Sequence, residues 1–220
     1  MIRSLVTVLA LLILGACSSS NPAGQSDGDE PTPPPTTGAE AAAFLESLRE
    51  GFSDAPFEIT YRISSTGQAE DAEITWAQDP PRSSYRFTAG GSGTLIIDPG
   101  DGSGSISCSG DQCVRFPDEG QIPAAAFLAP LFAFRDAIAE ADDLPGFAST
   151  GDATIAGRSA QCASWTFTGT AQACVDAELG LLLRWSASFQ GQETSFEAIE
   201  FGEPSDDDFE PTGEVQDFPS

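Results

Sequence analysis

Five cysteines are the residues of this chain most able to do covalent chemistry, and their positions divide them into one and four. Cys17 ends the run Leu14-Gly15-Ala16-Cys17, where an apolar stretch gives way to a polar one. Cys108, Cys113, Cys162 and Cys174 lie in the body of the chain. Histidine is absent, which removes Ser-His-Asp and Cys-His catalysis and any His-ligated zinc. The cysteine spacings are not C-x2-C, so a four-thiolate zinc site is disfavoured as well. Carboxylates are many, 34 Asp and Glu against 9 basic residues, every one of them Arg, for a net charge of −25. With so many surface acids, no pair has the isolation that glycoside chemistry would need. Asp98-Pro99-Gly100-Asp101-Gly102-Ser103-Gly104 has the composition of a calcium loop but neither its spacing nor its distal Glu, so turn chemistry is the reading. Asp206-Asp207-Asp208 reads as solvated acid. No enzymatic activity, metal or cofactor is expected. The charge also excludes nucleic acid, which requires a basic surface, and disfavours adsorption to anionic head groups.

Residues 1–17 have the parts of an export signal. Arg3 is the positive start, Leu5–Leu14 the apolar middle, and Gly15 and Ala16 the small residues near a cut. The apolar run is short of the roughly 20 residues a membrane span needs. With the cysteine in place, Leu14-Gly15-Ala16-Cys17 resembles the lipobox of bacterial lipoproteins. That resemblance implies cleavage before Cys17, lipidation of its sulfur (palmitate among the acyl groups), and a membrane-anchored, extracytoplasmic address in the cell envelope. Residues 1–16 are then signal peptide. Residues 17–38, rich in Ser, Pro and Gly, read as a disordered tether. About 20 flexible residues reach roughly 25 Å.

Outside the cytoplasm, an even number of remaining cysteines suggests disulfides. Local pairing, Cys108 with Cys113 and Cys162 with Cys174, fits best, because each pair brackets a hairpin signal. Loop entropy gives about 2 kcal/mol for the first and about 3 kcal/mol for the second.

The elements that carry these residues alternate at period two. A short helix is predicted over 39–52, with Phe44, Leu45 and Leu48 on one side. From Phe57 the pattern is a half-buried strand, Phe57, Ile59, Tyr61 and Ile63 against Glu58, Thr60, Arg62 and Ser64. Shorter strand signals follow at Ile74 and Trp76, Tyr85 and Phe87, Leu95 and Ile97, Ile106, and Val114–Phe116. Gly/Pro/Asp turns separate them. Residues 123–141 interrupt the strands with an apolar helical pattern, kinked or split at Pro130. Strands resume near 153–156, 164–168 and 171–175, and end in a strong pair, 181–190 and 193–201. In the last of these the apolar positions change face between Phe196/Ala198 and Ile199/Phe201, which a β-bulge would reconcile. Residues 204–220, acidic and without apolar periodicity, read as a disordered tail. The globular domain is then 39–203.

The order of lipobox, tether, helix, antiparallel strands, helical insertion and further strands resembles the LolA/LolB-like group and the LppX/LprG lipoproteins. The Phe57–Ser64 strand and the 181–201 hairpin carry the likeness. The resemblance implies an α+β, mainly antiparallel fold: a curved, incompletely closed β-barrel covered by short helices, with an apolar interior. It also implies that an apolar ligand, a lipid or acyl chain, binds there, in lipid or lipoprotein trafficking. Phe127, Leu131, Phe132 and Phe134 on the 123–141 helix, and Leu183, Trp185 and Phe189 on the sheet, are the candidate lining. A monomer is expected. The competing reading is a non-enzymatic envelope module that holds a protein or cell-wall partner on its outer surface.

Overall fold

The computed structural model describes residues 38–49, 55–67, 71–117, 146–166 and 169–218. One α-helix, α1 (Gly38–Arg49), precedes the sheet. Six strands follow, β1 (Phe57–Ser65), β2 (Ala72–Asp79), β3 (Arg82–Ala89), β4 (Ser92–Asp98), β5 (Ser105–Ser109) and β6 (Gln112–Phe116). After the interval containing 123–141, which lies outside the described residues, come β7 (Ala148–Ile155), β8 (Arg158–Thr166), β9 (Thr170–Asp176), β10 (Leu182–Phe189) and β11 (Gln192–Gly202). A one-turn 3-10 helix (Asp206–Phe209) and β12 (Glu214–Asp217) end the chain.

All 12 strands form one open sheet in the order β12-β6-β5-β4-β3-β2-β1-β11-β10-β9-β8-β7. Every pairing is antiparallel except β12 with β6. The first strand and the last strand of the main run, β1 and β11, meet at the centre. The two halves are therefore meanders growing outward from that junction. The sheet curls: β7 approaches β11 although β8, β9 and β10 separate them in order. The expected open, curved, mainly antiparallel sheet is what forms.

Registers define two faces. On the inner face, Phe201, Ile59, Trp76, Tyr85 and Ile96 make one cross-strand row, and Ala198, Tyr61, Ile74 and Phe87 make the next. Trp185, Phe196 and Ile63 make a third. Phe44 and Leu45 of α1 pack into this cluster. The bulge expected in β11 is present: Thr60 faces Glu200 while Tyr61 faces Ala198, leaving Ile199 unmatched. Ile199 is accordingly turned toward water, 38% exposed, and Phe201 returns to the core. Both local disulfides form, each across a directly paired strand position.

The tail departs from expectation. Residues 203–218 leave β11, pass along the outer face by the 3-10 turn, and join the sheet edge as β12 beside β6. Phe209 lies under the Arg82 guanidinium at 4.3 Å, and the Thr212 hydroxyl donates to the Gly110 carbonyl at 2.7 Å. Gly213 passes so close to the Asp111 carbonyl that a Cβ would sit 2.1 Å from its oxygen. Val215 packs against Leu95, Ile97, Ile106 and the Cys108–Cys113 bridge. These isolated apolar residues show no period because each docks on a different strand. The folded domain therefore extends past residue 203.

One buried ion pair locks the β9–β10 turn. Asp176, 2% exposed, accepts two hydrogen bonds from Arg158, at 2.8 and 3.1 Å, and backbone N–H bonds from Glu178 and Leu179. Burial alone would raise its pKa, but Arg158 and the two N–H donors outweigh that and hold it below the usual carboxylate range. A depressed folded pKa contributes stability that is present above the unfolded value and lost as pH falls through the folded one. Arg158→Met should therefore cost about 2–3 kcal/mol near pH 7, less than a fully enclosed pair because Arg158 is partly solvated and two donors remain. The deficit relative to the parent should begin to shrink in urea titrations as pH falls below about 4 and should vanish only below the depressed folded pKa, where Asp176 is protonated in both proteins. A deficit unchanged down to pH 2 would refute the ion-pair account.

Candidate functional site

The inner face is the apolar surface the sheet presents, and alternation along each strand builds it. Aromatic rings tile it from β10 to β3. Trp185 stacks on Phe196 at 5.5 Å, and Phe196 meets Tyr61 edge-on at 6.0 Å. Phe57 meets Trp76 edge-on at 4.7 Å, and Trp76 stacks on Tyr85 at 5.9 Å. Offset and edge-to-face contacts of this kind add to area burial. Desolvation by burial, and then the negative charge of Asp176, pushes the Tyr61 hydroxyl pKa upward, so it stays neutral.

Packing is not uniform over this face. Phe57, Ile59, Tyr61, Ile74, Trp76, Phe196 and Ala198 are buried. Ile63, Tyr85, Phe87 and Ala187 touch the same cluster but are only partly buried. Phe87 continues the Tyr61–Ile74 row outward onto β3, where its next register partner is Thr94 on β4. The apolar surface therefore continues outward along β3 from a closed centre around β1.

Among the expected lining residues, Phe127, Leu131, Phe132 and Phe134 lie outside the described residues. Leu183 and Trp185 are core side chains, at 0% and 4% exposure. Phe189 is half-buried at the end of β10, next to the Gln190-Gly191 turn. The partly open residues of the opposite half, Tyr85 and Phe87, were legible as strand residues but not as lining. Their signal is the register itself: a hairpin through Pro80-Pro81 places them beside Trp76 and Ile74. On the outer surface, the large apolar side chains exposed among the described residues are Ile199 and Phe218, which sit on different elements. The Asp98–Gly104 segment is a pair of self-bonded turns, with Gly100 N–H donating to Asp98 and Ser103 N–H to Asp101, each at 2.9 Å.

No family model and no curated protein sequence matches the chain. Solved structures do. A chain of the Pseudomonas aeruginosa MucA/MucB complex is similar at 18% identity and a TM-score of 0.47, over 78% of this chain and 60% of that one. The chain thus spans less than two thirds of that protein. LprF from Mycobacterium bovis is similar at 10% identity and a TM-score of 0.46, over 76% of this chain and 95% of that one. The Mycobacterium tuberculosis lipoprotein LppX is similar at 11% and 0.46, over 77% and 99%. At these scores and identities the likenesses carry no argument about ligand or partner. The sheet order itself gives the architecture: one open, curled, mainly antiparallel sheet with an apolar inner face.

Proposed function

We propose that this chain is a membrane-anchored extracytoplasmic lipoprotein that holds an apolar ligand, a lipid or acyl chain, against the inner face of its sheet. The observation that carries the reading is the partly open aromatic surface along Tyr85 and Phe87, continuous with a core that is otherwise closed. Apolar surface left partly open on the concave side of a curled sheet is a site for an apolar molecule rather than for chemistry. The ligand side chains within reach are rings and aliphatic groups, which suit an acyl chain and give it no covalent partner. The 123–141 segment, apolar on more than one stripe in the sequence, is the cover this reading assigns to the site. Cys17 and the Pro-rich run after it supply the anchor and the tether. Carriage of lipid or lipoprotein between membranes is the role such a tethered site would serve.

The test is native mass spectrometry of the full chain extracted from membranes in a mild detergent. A non-covalent adduct of lipid mass is expected on the parent protein. Phe87→Glu, which places a charge on the partly open surface and leaves the closed centre intact, should lower the adduct fraction at least fivefold at an unchanged melting temperature. A parent protein without adduct, or equal adduct on parent and variant, would overturn the assignment.

A further inference from the structure

Among the described strands β12 alone pairs in parallel, and the connection imposes it. The chain leaves β11 at the centre of the sheet and reaches β6 as an in-plane edge strand, with Glu214 beside Gln112 and Asp217 beside Arg115. Its direction is set by where the chain comes from, and a parallel ladder is slightly the weaker kind per residue. β12 is also short, four residues with one apolar side chain, Val215. Its ion pair, Arg115 with Asp217 at 3.6 Å, leaves Asp217 88% exposed and so contributes little. Phe218 stacks on Phe116 at 5.3 Å and is still 53% exposed. The β6 edge is better built than the strand that occupies it. On the outer side Cys113 belongs to the buried cluster of Leu95, Ile97, Ile106 and Cys108. Two residues on, Arg115 is fixed by donating to the Ser103 hydroxyl at 2.7 Å. On the inner side Val114 and Phe116 are partly buried. An apolar, a cationic and an aromatic point thus follow one another along a strand edge. Strand addition uses such an edge: main-chain bonds supply affinity, and alternate side chains supply choice.

We propose that the β6 edge is a docking site for an extended segment of another protein, which adds to the sheet antiparallel and displaces β12. From its N-terminus, the fitting segment carries an aromatic residue for Phe116, then an acid for Arg115, then, two residues on, an aliphatic residue for the Cys113 cluster. β12 carries the same three in the opposite order, Val215, Asp217 and Phe218, and so fills the site in cis as a weak competitor. A second copy is the wrong occupant. At a net charge of −25 two copies repel, whereas a protein of neutral or positive net charge does not. Displacement also has a defined extent. Asp206 stays with Arg82 at 2.7 Å and Phe209 stays under the same guanidinium, so only the chain beyond the 3-10 turn has to leave. Gly213 is where that part is held closest, since a Cβ there would sit 2.1 Å from the Asp111 carbonyl oxygen. A strand competing in cis lowers the partner's apparent affinity by the fraction of time the edge is free. Weakening β12 should therefore strengthen the partner.

The probe is a synthetic peptide with the sequence of residues 211–218 written in reverse, which sets the same side chains opposite β6 in an antiparallel strand. It is titrated into the full 15N-labelled chain and followed by amide chemical shifts. Shifts are expected in β5, β6 and residues 212–218, the last moving to free-chain positions, while β1 and β2 hold theirs. Gly213→Val forces β12 away without altering a β6 residue and should bind the peptide about tenfold more tightly than the parent. A peptide with its acid and aliphatic residues exchanged should bind about tenfold more weakly. Arg115→Glu, which sets like charges opposite each other, should weaken the first peptide about fivefold and serves if Gly213→Val folds poorly. No binding to Gly213→Val overturns the proposal. So does equal binding of the two peptides, equal binding by parent and Arg115→Glu, or binding to the parent that leaves residues 212–218 in place. Self-association of Gly213→Val through this edge would assign it to a second copy instead and overturn the partner proposed.

Discussion

Cys17→Ser is expected to empty the membrane fraction of this protein. The variant should appear in the soluble extracytoplasmic fraction or accumulate as uncleaved precursor, and should take up no labelled palmitate. On the proposed reading the effect should be all-or-none, because the acyl chains on Cys17 are the attachment it assigns. Its apolar N-terminal run is too short to span comfortably. Its charge of −25 repels anionic head groups. Each buried methylene of an acyl chain contributes about 0.8 kcal/mol, and two or more chains hold where one does not. On that reading the attachment passes through one sulfur. The folded domain should be indifferent: its core residues begin at Phe44. Its melting temperature should therefore match that of the parent to within error. Palmitate labelling that survives in the serine variant would overturn the anchor, and a changed melting temperature would show that residue 17 has a structural part as well.

The strands were legible because their side chains alternate, and the β11 bulge because that alternation breaks once. In Phe196-Glu197-Ala198-Ile199-Glu200-Phe201 two apolar residues adjoin, and a strand with one buried face must spend one of them on a bulge; Ile199 is the residue turned out. The disulfides followed from hairpin signals between cysteines. Two things did not come through. Leu95-Ile96-Ile97 reads as a strand, and its three successive apolar residues mean burial on both faces without naming what covers the second. What covers it is Val215 of the C-terminal segment, whose Phe209, Val215 and Phe218 dock at separate places and so leave no period to detect. Charge concealed it further. An acidic segment looks solvated until the arginines it meets are placed, and Arg82 and Arg115 are far from it in sequence. The candidate lining was read in the same way, by apolar pattern alone. Pattern separates inner from outer but not closed from open, which is why Trp185 and Phe87 look alike in sequence and differ in burial.

Phe57→Ala should be among the most destabilising single substitutions in the described core. Phe57 opens β1, the strand that joins the two halves of the sheet, and it is 0% exposed. Its ring meets Trp76 edge-on at 4.7 Å and lies over Phe201 at 6.3 Å. Truncation removes the ring's transfer free energy and leaves a cavity walled by two rigid aromatics that cannot swing in to fill it. Core Phe-to-Ala changes cost about 3–5 kcal/mol, and the poor collapse of this site places it toward the upper end. For a domain of this size that is about 10 °C in melting temperature. Phe201 also forms the platform for the Arg158 guanidinium, 4.7 Å from the ring centroid, so its displacement would reach the Asp176 ion pair on the neighbouring strands. Phe57→Leu keeps most of the volume and should cost less than about 1.5 kcal/mol. The two halves of the sheet meet on β1, so unfolding of the alanine variant should remain a single transition, with tryptophan fluorescence and far-UV circular dichroism coinciding. A loss below about 1 kcal/mol would mean that the centre of the inner face is not closed, and would move the ligand site from the Tyr85–Phe87 margin to the middle of the sheet.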